Sequence, residues 1–164
     1  MAGAERDNYQ AILTVPFGAL GLRMSCNTLT GIDFLPATPP IPPQTAFARK
    51  VYAALQGYLA DPHRSFDVPL ELGGTAFQRR VWQGIAAIPP GETLTYSELA
   101  EKVGSGARAV ANACGANPIP VIIPCHRVVA RNGLGGFMKG REQNSLSIKQ
   151  WLLAHEHGKS CATR

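Results

Sequence analysis

Short apolar runs broken by proline and glycine open the chain. Tyr9 to Val15 reads as a strand, Pro16-Phe17-Gly18 as a turn, and Ala19 to Ser25 and Leu29 to Leu35 as the continuation of a meander. Pro36 to Pro43 holds five prolines in eight residues, which predicts an irregular connector. Within Thr45 to Leu59 the apolar residues fall at 47, 51, 54, 55, 58 and 59, a helical stripe. Phe66 to Leu72 is a short extended piece, and Gly73-Gly74 punctuates a boundary. Residues 1–74 therefore read as an α/β domain, a small sheet with one helix.

From there the periodicity is helical. Thr75 can N-cap a helix over Ala76 to Ala87, with Phe77, Val81, Trp82 and Ile85 on one face, ended by Pro89-Pro90-Gly91. Thr95-Tyr96-Ser97-Glu98 is a capping box opening a short helix through Val103. Gly104-Ser105-Gly106 breaks it. Ala107 to Cys114 is a second short helix, stopped by Gly115 and Asn117-Pro118. A final helix runs from about Ser147 to Glu156, with Ile148, Trp151, Leu152 and His155 facing one way. Residues 75–164 thus form a mostly α domain in which helix, glycine turn and helix have the outline of a helix-turn-helix.

Charge sharpens this division. The chain carries net +5, but residues 1–74 hold five basic and six acidic groups, and residues 75–164 hold eleven basic and five acidic. The positive excess lies wholly in the second domain and suits a polyanion partner, though an ordinary solvated surface has the same composition. No apolar run approaches the ~20 residues of a membrane span. The polar start, Met1 to Asp7, lacks a signal-peptide core, so no membrane association and a cytoplasmic location are expected. The four cysteines (26, 114, 125, 161) are widely spaced, with no C-x-x-C pair, which predicts free thiols and no metal site.

One of those thiols stands apart. Cys125 lies in Ile122-Ile123-Pro124-Cys125-His126-Arg127-Val128-Val129, between a rigid proline and an imidazole. A free thiol has a pKa of about 8.5 and needs help to react near neutrality. On the pair alone, a buried core cysteine and a nucleophile are both open readings. Neighbours in an extended strand point to opposite faces, so Cys125 and His126 meet only across a bend or through a water. Pro124 pins its own φ and pushes Ile123 toward extended geometry. This predicts a buried strand end at Val121 to Ile123 and a turn over Cys125 to Val128.

Taken together, Phe77-Gln78-Arg79-Arg80-Val81-Trp82, Ile88-Pro89-Pro90-Gly91-Glu92-Thr93, Thr95-Tyr96, Ala107-Arg108-Ala109-Val110, Asn117-Pro118-Ile119-Pro120, the Pro-Cys-His-Arg-Val core and Trp151-Leu152-Leu153-Ala154-His155-Glu156 resemble, in order, the O6-alkylguanine-DNA alkyltransferase family. The resemblance covers nearly the whole chain and is strongest over Thr75 to Glu156. It implies a ribonuclease-H-like N-terminal sheet, a C-terminal helix-turn-helix, and direct repair of DNA. Cys125 would take the alkyl group from O6 of guanine as a thioether, once per molecule and without a cofactor. Whether O4-alkylthymine is a further substrate is left open by the resemblance. His126 would draw off the thiol proton, Glu156 would orient His126, and Asn117 would hold the active-site turn. Arg108, with Ala107 beside it, would enter the base stack, Tyr96 would press on the 3′ phosphate, and Arg127 would contact DNA. Val128, Phe137 and Met138 would wall the guanine pocket. The partner would be double-stranded DNA carrying O6-alkylguanine, bound by a monomer without sequence preference.

Two stretches depart from the family's pattern. The turn Gly104-Ser105-Gly106 is shorter, which puts Arg108 at a slightly different helix start. The loop from Gly136-Phe137-Met138-Lys139-Gly140 into Arg141-Glu142-Gln143-Asn144-Ser145 is longer, and it carries two cations that serve either phosphate contact or solubility. Rival readings are a non-catalytic alkyltransferase-like lesion binder, a cysteine hydrolase and a transcription regulator. The first has tryptophan at the cysteine position and no separate N-terminal domain. The second needs an oxyanion-hole motif, and the third a dimerisation segment or sensor domain, none of which is visible.

Overall fold

A computed structural model describes residues 8–137 and 145–162, with side chains in the last helix described through His157. The chain divides into two compact units at Leu72/Gly73. Among the described residues there are five α-helices, and none is long and apolar enough to cross a membrane.

The first unit is a three-stranded antiparallel meander, β1 (Ala11–Val15), β2 (Gly18–Ser25) and β3 (Thr28–Leu35), with helix α1 (Ala46–Ala60). Register runs Ala11↔Leu22 to Val15↔Gly18 and Ala19↔Leu35 to Ser25↔Thr28, with a bulge at Arg23/Met24. Both edges of so small a sheet need cover. The proline-rich connector supplies it at β1, where Ile12 and Ile41 exchange N–H···O bonds (3.0 and 3.1 Å). Residues 69–71 supply it at β3, through Leu29 N–H to Pro69 O and Glu71 N–H to Leu29 O (both 2.9 Å). The short extended piece expected at Phe66 to Leu72 pairs through the single bridge Leu29↔Leu70. Thr45 N-caps α1 by accepting from Ala48 N–H, and Ala48, Val51, Leu55 and Tyr58 form its buried face.

The second unit holds α2 (Ala76–Ala86), β4 (Leu94–Thr95), α3 (Tyr96–Val103), α4 (Ala107–Gly115), a 3₁₀ turn over Cys125–Arg127, β5 (Val128–Val129) and α5 (Ser145–Ala162). Thr75 with Gln78 and Thr95 with Glu98 make complete capping boxes at α2 and α3. Gly104 ends α3 at φ 71°, the left-handed position glycine adopts without strain. Val81, Trp82 and Ile85 of α2 are buried, as are Leu99, Val110 and Ile119, each burial contributing roughly 1.5–3 kcal/mol. The Trp82 indole N–H donates to the Ala113 carbonyl (2.9 Å), tying α2 to α4.

Two features differ from expectation. Val121 to Ile123 is no strand: Val121 has φ 75°, and only a Pro120↔Ile123 bridge forms. Prolines 120 and 124 remove the N–H groups that a ladder needs, and Ile123 N–H turns back to the Ile119 carbonyl instead (2.9 Å). A β-branched residue at positive φ is a true outlier, and the buried turn around it holds it there. The parallel pair β4–β5 (Leu94↔Val128, Thr95↔Val129) went unpredicted, because two residues show no period.

Candidate active site

The 3₁₀ turn resolves the adjacency of Cys125 and His126, because its tight backbone lets neighbouring side chains leave an extended strand's opposed faces. Asn117 anchors this turn. Its side-chain amide donates to the Ile123 carbonyl (2.8 Å), its amide oxygen accepts from Ile119 N–H (2.9 Å), and it also hydrogen-bonds Cys125. Cys125 N–H donates to the same Ile123 carbonyl (2.8 Å).

His126 is fully buried, and its Nε2 lies 2.7 Å from Glu156 Oε2 on α5. Arg127 grips the same carboxylate with two donors, Nε to Oε1 (3.0 Å) and Nη2 to Oε2 (2.8 Å), and donates Nη1 to the Ile88 carbonyl (2.6 Å). Burial pushes the Glu156 carboxyl up, but the hydrogen bonds of His126 and Arg127 and the guanidinium charge outweigh it and hold the group well below the usual carboxylate range. Burial lowers His126, the bond and charge of Glu156 oppose this only in part, and the charges of Arg127 and Lys149 lower it further. The ring is therefore neutral. With an ionised carboxylate at Nε2, the N–H sits there and Nδ1 keeps its lone pair. Nδ1 is buried and, among the described residues, has no hydrogen-bond partner: an unused base on the residue that follows Cys125 in the chain.

A cavity of about 170 Å³ is lined by Tyr96, Ala111, Cys114, Gly115, Cys125, Gly136 and Phe137. It is smaller than the roughly 300–1,000 Å³ of ordinary ligand pockets and mostly apolar. The Tyr96 hydroxyl donates to the Gly136 carbonyl (3.3 Å). Gly135 (φ 73°) lets the backbone pass that ring, since a Cβ there would lie 2.8 Å from it.

Lys149 braces this wall. Fully buried on α5, its Nζ donates to the carbonyls of Val128 (2.7 Å), Leu134 (2.6 Å) and Gly136 (2.8 Å). Burial pushes its pKa down to about 8, with Cys125 and Cys114 drawing it up. Three carbonyls require three donors, which only the ammonium has. Burial pushes Cys125 up to about 11, while the Asn117 hydrogen bond and then the Lys149 charge pull it back. The sequence reading missed Lys149. Its signal was a charge on an apolar stripe: Ser145, Ile148, Lys149, Leu152 and Glu156 are the buried residues of α5 among those whose side chains are described.

The remaining expected site residues divide. Phe137 lines the cavity, and Tyr96 lines both it and a second depression formed with Thr95, Ser97, Glu98, Glu101, Ala107, Ala130 and Arg131. Arg108 is exposed in the first turn of α4. Two expectations are corrected. Arg127 is buried, with its guanidinium committed to Glu156 and Ile88, so its role is internal and not DNA contact. Val128 is buried in β5 and is not among the residues lining the cavity; its carbonyl serves Lys149. Met138 lies outside the described residues, as do Lys139 and Arg141.

A thiol opening on a small apolar cavity, beside a histidine held by a carboxylate, defines a cysteine centre for group transfer. Residues 76–158 match the family described as 6-O-methylguanine DNA methyltransferase, DNA binding domain. The methylated-DNA–protein-cysteine methyltransferase of Methanosarcina acetivorans is 38% identical, over 90% of this chain and 97% of that protein. A probable methylated-DNA–protein-cysteine methyltransferase of Acanthamoeba polyphaga mimivirus is 54% identical, over 55% of this chain and 58% of that protein. The Mycobacterium tuberculosis OGT solved in complex with DNA superposes with a TM-score of 0.78 at 37% identity, over 90% of this chain and 92% of that one. The chain belongs to the methylated-DNA–protein-cysteine methyltransferase family.

Proposed function

We propose that Cys125 is the acceptor that takes an alkyl group from O6 of guanine in DNA and keeps it. The protein is a DNA-repair methyltransferase, and the observation that carries the residue assignment is that Cys125 lines a small cavity while the residue after it, His126, holds a buried Nδ1 with no partner among the described residues. In the reaction His126 Nδ1 accepts the thiol proton, through a bridging water, and Glu156 stabilises the imidazolium that forms. The thiolate attacks the alkyl carbon, a C–S bond forms, the C–O bond breaks, and its electron pair returns to the guanine oxygen. Asn117 and the Lys149 ammonium favour the thiolate. A thioether is a poor leaving group, so each molecule acts once. Incubated with excess methylated duplex, the protein gains one methyl group, on the peptide containing Cys125. Release of more methyl groups than protein molecules overturns this reading.

The base reaches the cavity only when it leaves the stack, at a few kcal/mol. We read α3, the glycine turn and α4 as a helix-turn-helix facing DNA, and the sheet of the first unit as ribonuclease-H-like. Exposed Arg108 fills the emptied stack and Tyr96 turns the 3′ phosphate. The basic excess of residues 75–164 supports salt-sensitive binding by a monomer without sequence preference. Arg108→Ala therefore slows transfer from duplex DNA by roughly tenfold or more, while transfer from the free alkylated base changes little. Equal losses on both substrates, in parallel single-turnover assays, contradict this role. Cysteine at position 125 argues against the lesion-binding alternative, which lacks the acceptor.

A further inference from the structure

The mechanism leaves one reactive group in the cavity unused. Cys114, in the last turn of α4, lines it together with Cys125. Short backbone links hold the two close. Asn117 N–H donates to the Cys114 carbonyl (3.2 Å), its side chain donates to the Ile123 carbonyl (2.8 Å), and that carbonyl also accepts Cys125 N–H (2.8 Å). Both thiols are free and buried, at 6% and 4% exposure, and both line a cavity that admits a molecule the size of water.

We propose that Cys114 and Cys125 form a reversible disulfide on oxidation by hydrogen peroxide, protecting a thiol that can be used only once. The Cys125 sulfur attacks one peroxide oxygen. An S–O bond forms, the O–O bond breaks, and water leaves, so sulfur is oxidised by two electrons to a sulfenic acid while peroxide is reduced. The Cys114 sulfur then attacks the sulfenic sulfur. An S–S bond forms, the S–O bond breaks, and the Cys114 proton leaves with the oxygen as a second water. Without Cys114 the sulfenic acid meets further peroxide and proceeds to the sulfinic acid, which thiol reductants do not restore. Burial sets the pace: with Tyr96, His126, Lys149 and each other as the titratable neighbours, Cys125 stands at about 11 and Cys114 at about 12, so the reaction is slow at neutrality and faster as pH rises.

The experiment is direct, because no lysine or arginine separates the two cysteines. Trypsin leaves residues 109–127 as one peptide containing both. After peroxide treatment of the full chain and blocking of residual thiols, that peptide is expected to have lost two hydrogens and to carry no blocking group. A dithiol reductant should then return alkyl-transfer capacity. In Cys114→Ala the recovered fraction, relative to the same variant before oxidation, should be roughly threefold or more lower. An unchanged peptide, a bridge to Cys26 or Cys161 instead, or equal recovery in the variant overturns the proposal. The peptide is read on protein that has met no alkylated DNA, so its failure leaves the acceptor role of Cys125 standing, and failure of that role leaves the cross-link intact.

Discussion

Cys125→Ser is expected to abolish alkyl transfer from O6-methylguanine in duplex DNA, by about 10⁴-fold or more, while salt-dependent DNA binding persists. The substitution nearly preserves shape, so the 3₁₀ turn and the bonds of Asn117 to Ile123 and Ile119 remain. What changes is the ease of ionisation. Burial has already pushed the thiol to about 11, and a hydroxyl starts several units higher with the same burial to bear. Neither the neutral His126 nor the Lys149 charge supplies that difference. Oxygen is also the weaker nucleophile toward an alkyl carbon. The readout is intact mass after incubation with excess alkylated duplex, alongside a binding curve at two salt concentrations. A serine variant that gains a methyl group at a rate comparable to the parent would place the acceptor elsewhere.

The helices of the second unit were legible because each carries its own local signals. Thr75 and the capping box of Thr95 with Glu98 announce two starts, and Gly104 announces a stop. The pairing of Cys125 with His126 was legible only as a question, since an extended strand forbids it and a tight turn permits it. Arg127 was misread for a physical reason. An arginine beside a catalytic pair in a basic domain suggests phosphate, and only the position of Glu156, twenty-nine residues away, turns the side chain inward. Lys149 was hidden by the same non-local logic: its three acceptors come from β5 and the segment before Phe137, which no periodicity in α5 foretells. The strained turn at Val121 is likewise set by two flanking prolines and the Asn117 network, and not by valine's own preference, which is for a strand.

Glu156→Gln is expected to reduce stability and activity together, and the way the loss depends on pH identifies its cause. The wild-type carboxylate accepts from His126 and twice from Arg127 in a buried setting. Glutamine offers one oxygen and an N–H₂ that must face a donor, so the buried guanidinium loses its counter-charge. Removing one partner of such a pair costs about 3–5 kcal/mol, which for a chain of this size lowers Tm by on the order of 10 °C. The Glu156 carboxyl is held well below its ordinary value, about 4.3 in an unfolded chain. Its stabilisation is therefore fully present above that value and is lost as pH falls below it toward the folded-state pKa. The Tm gap between parent and variant should be widest at pH 5 and above and should narrow from pH 4 downward. Adding Arg127→Met to Glu156→Gln removes the stranded cation and should recover part of the lost Tm, while transfer stays roughly 10²-fold down because His126 has lost the carboxylate that orients it. A pH-independent gap, or a double variant no more stable than the single one, would mean that the carboxylate–guanidinium pair is not what holds this turn together.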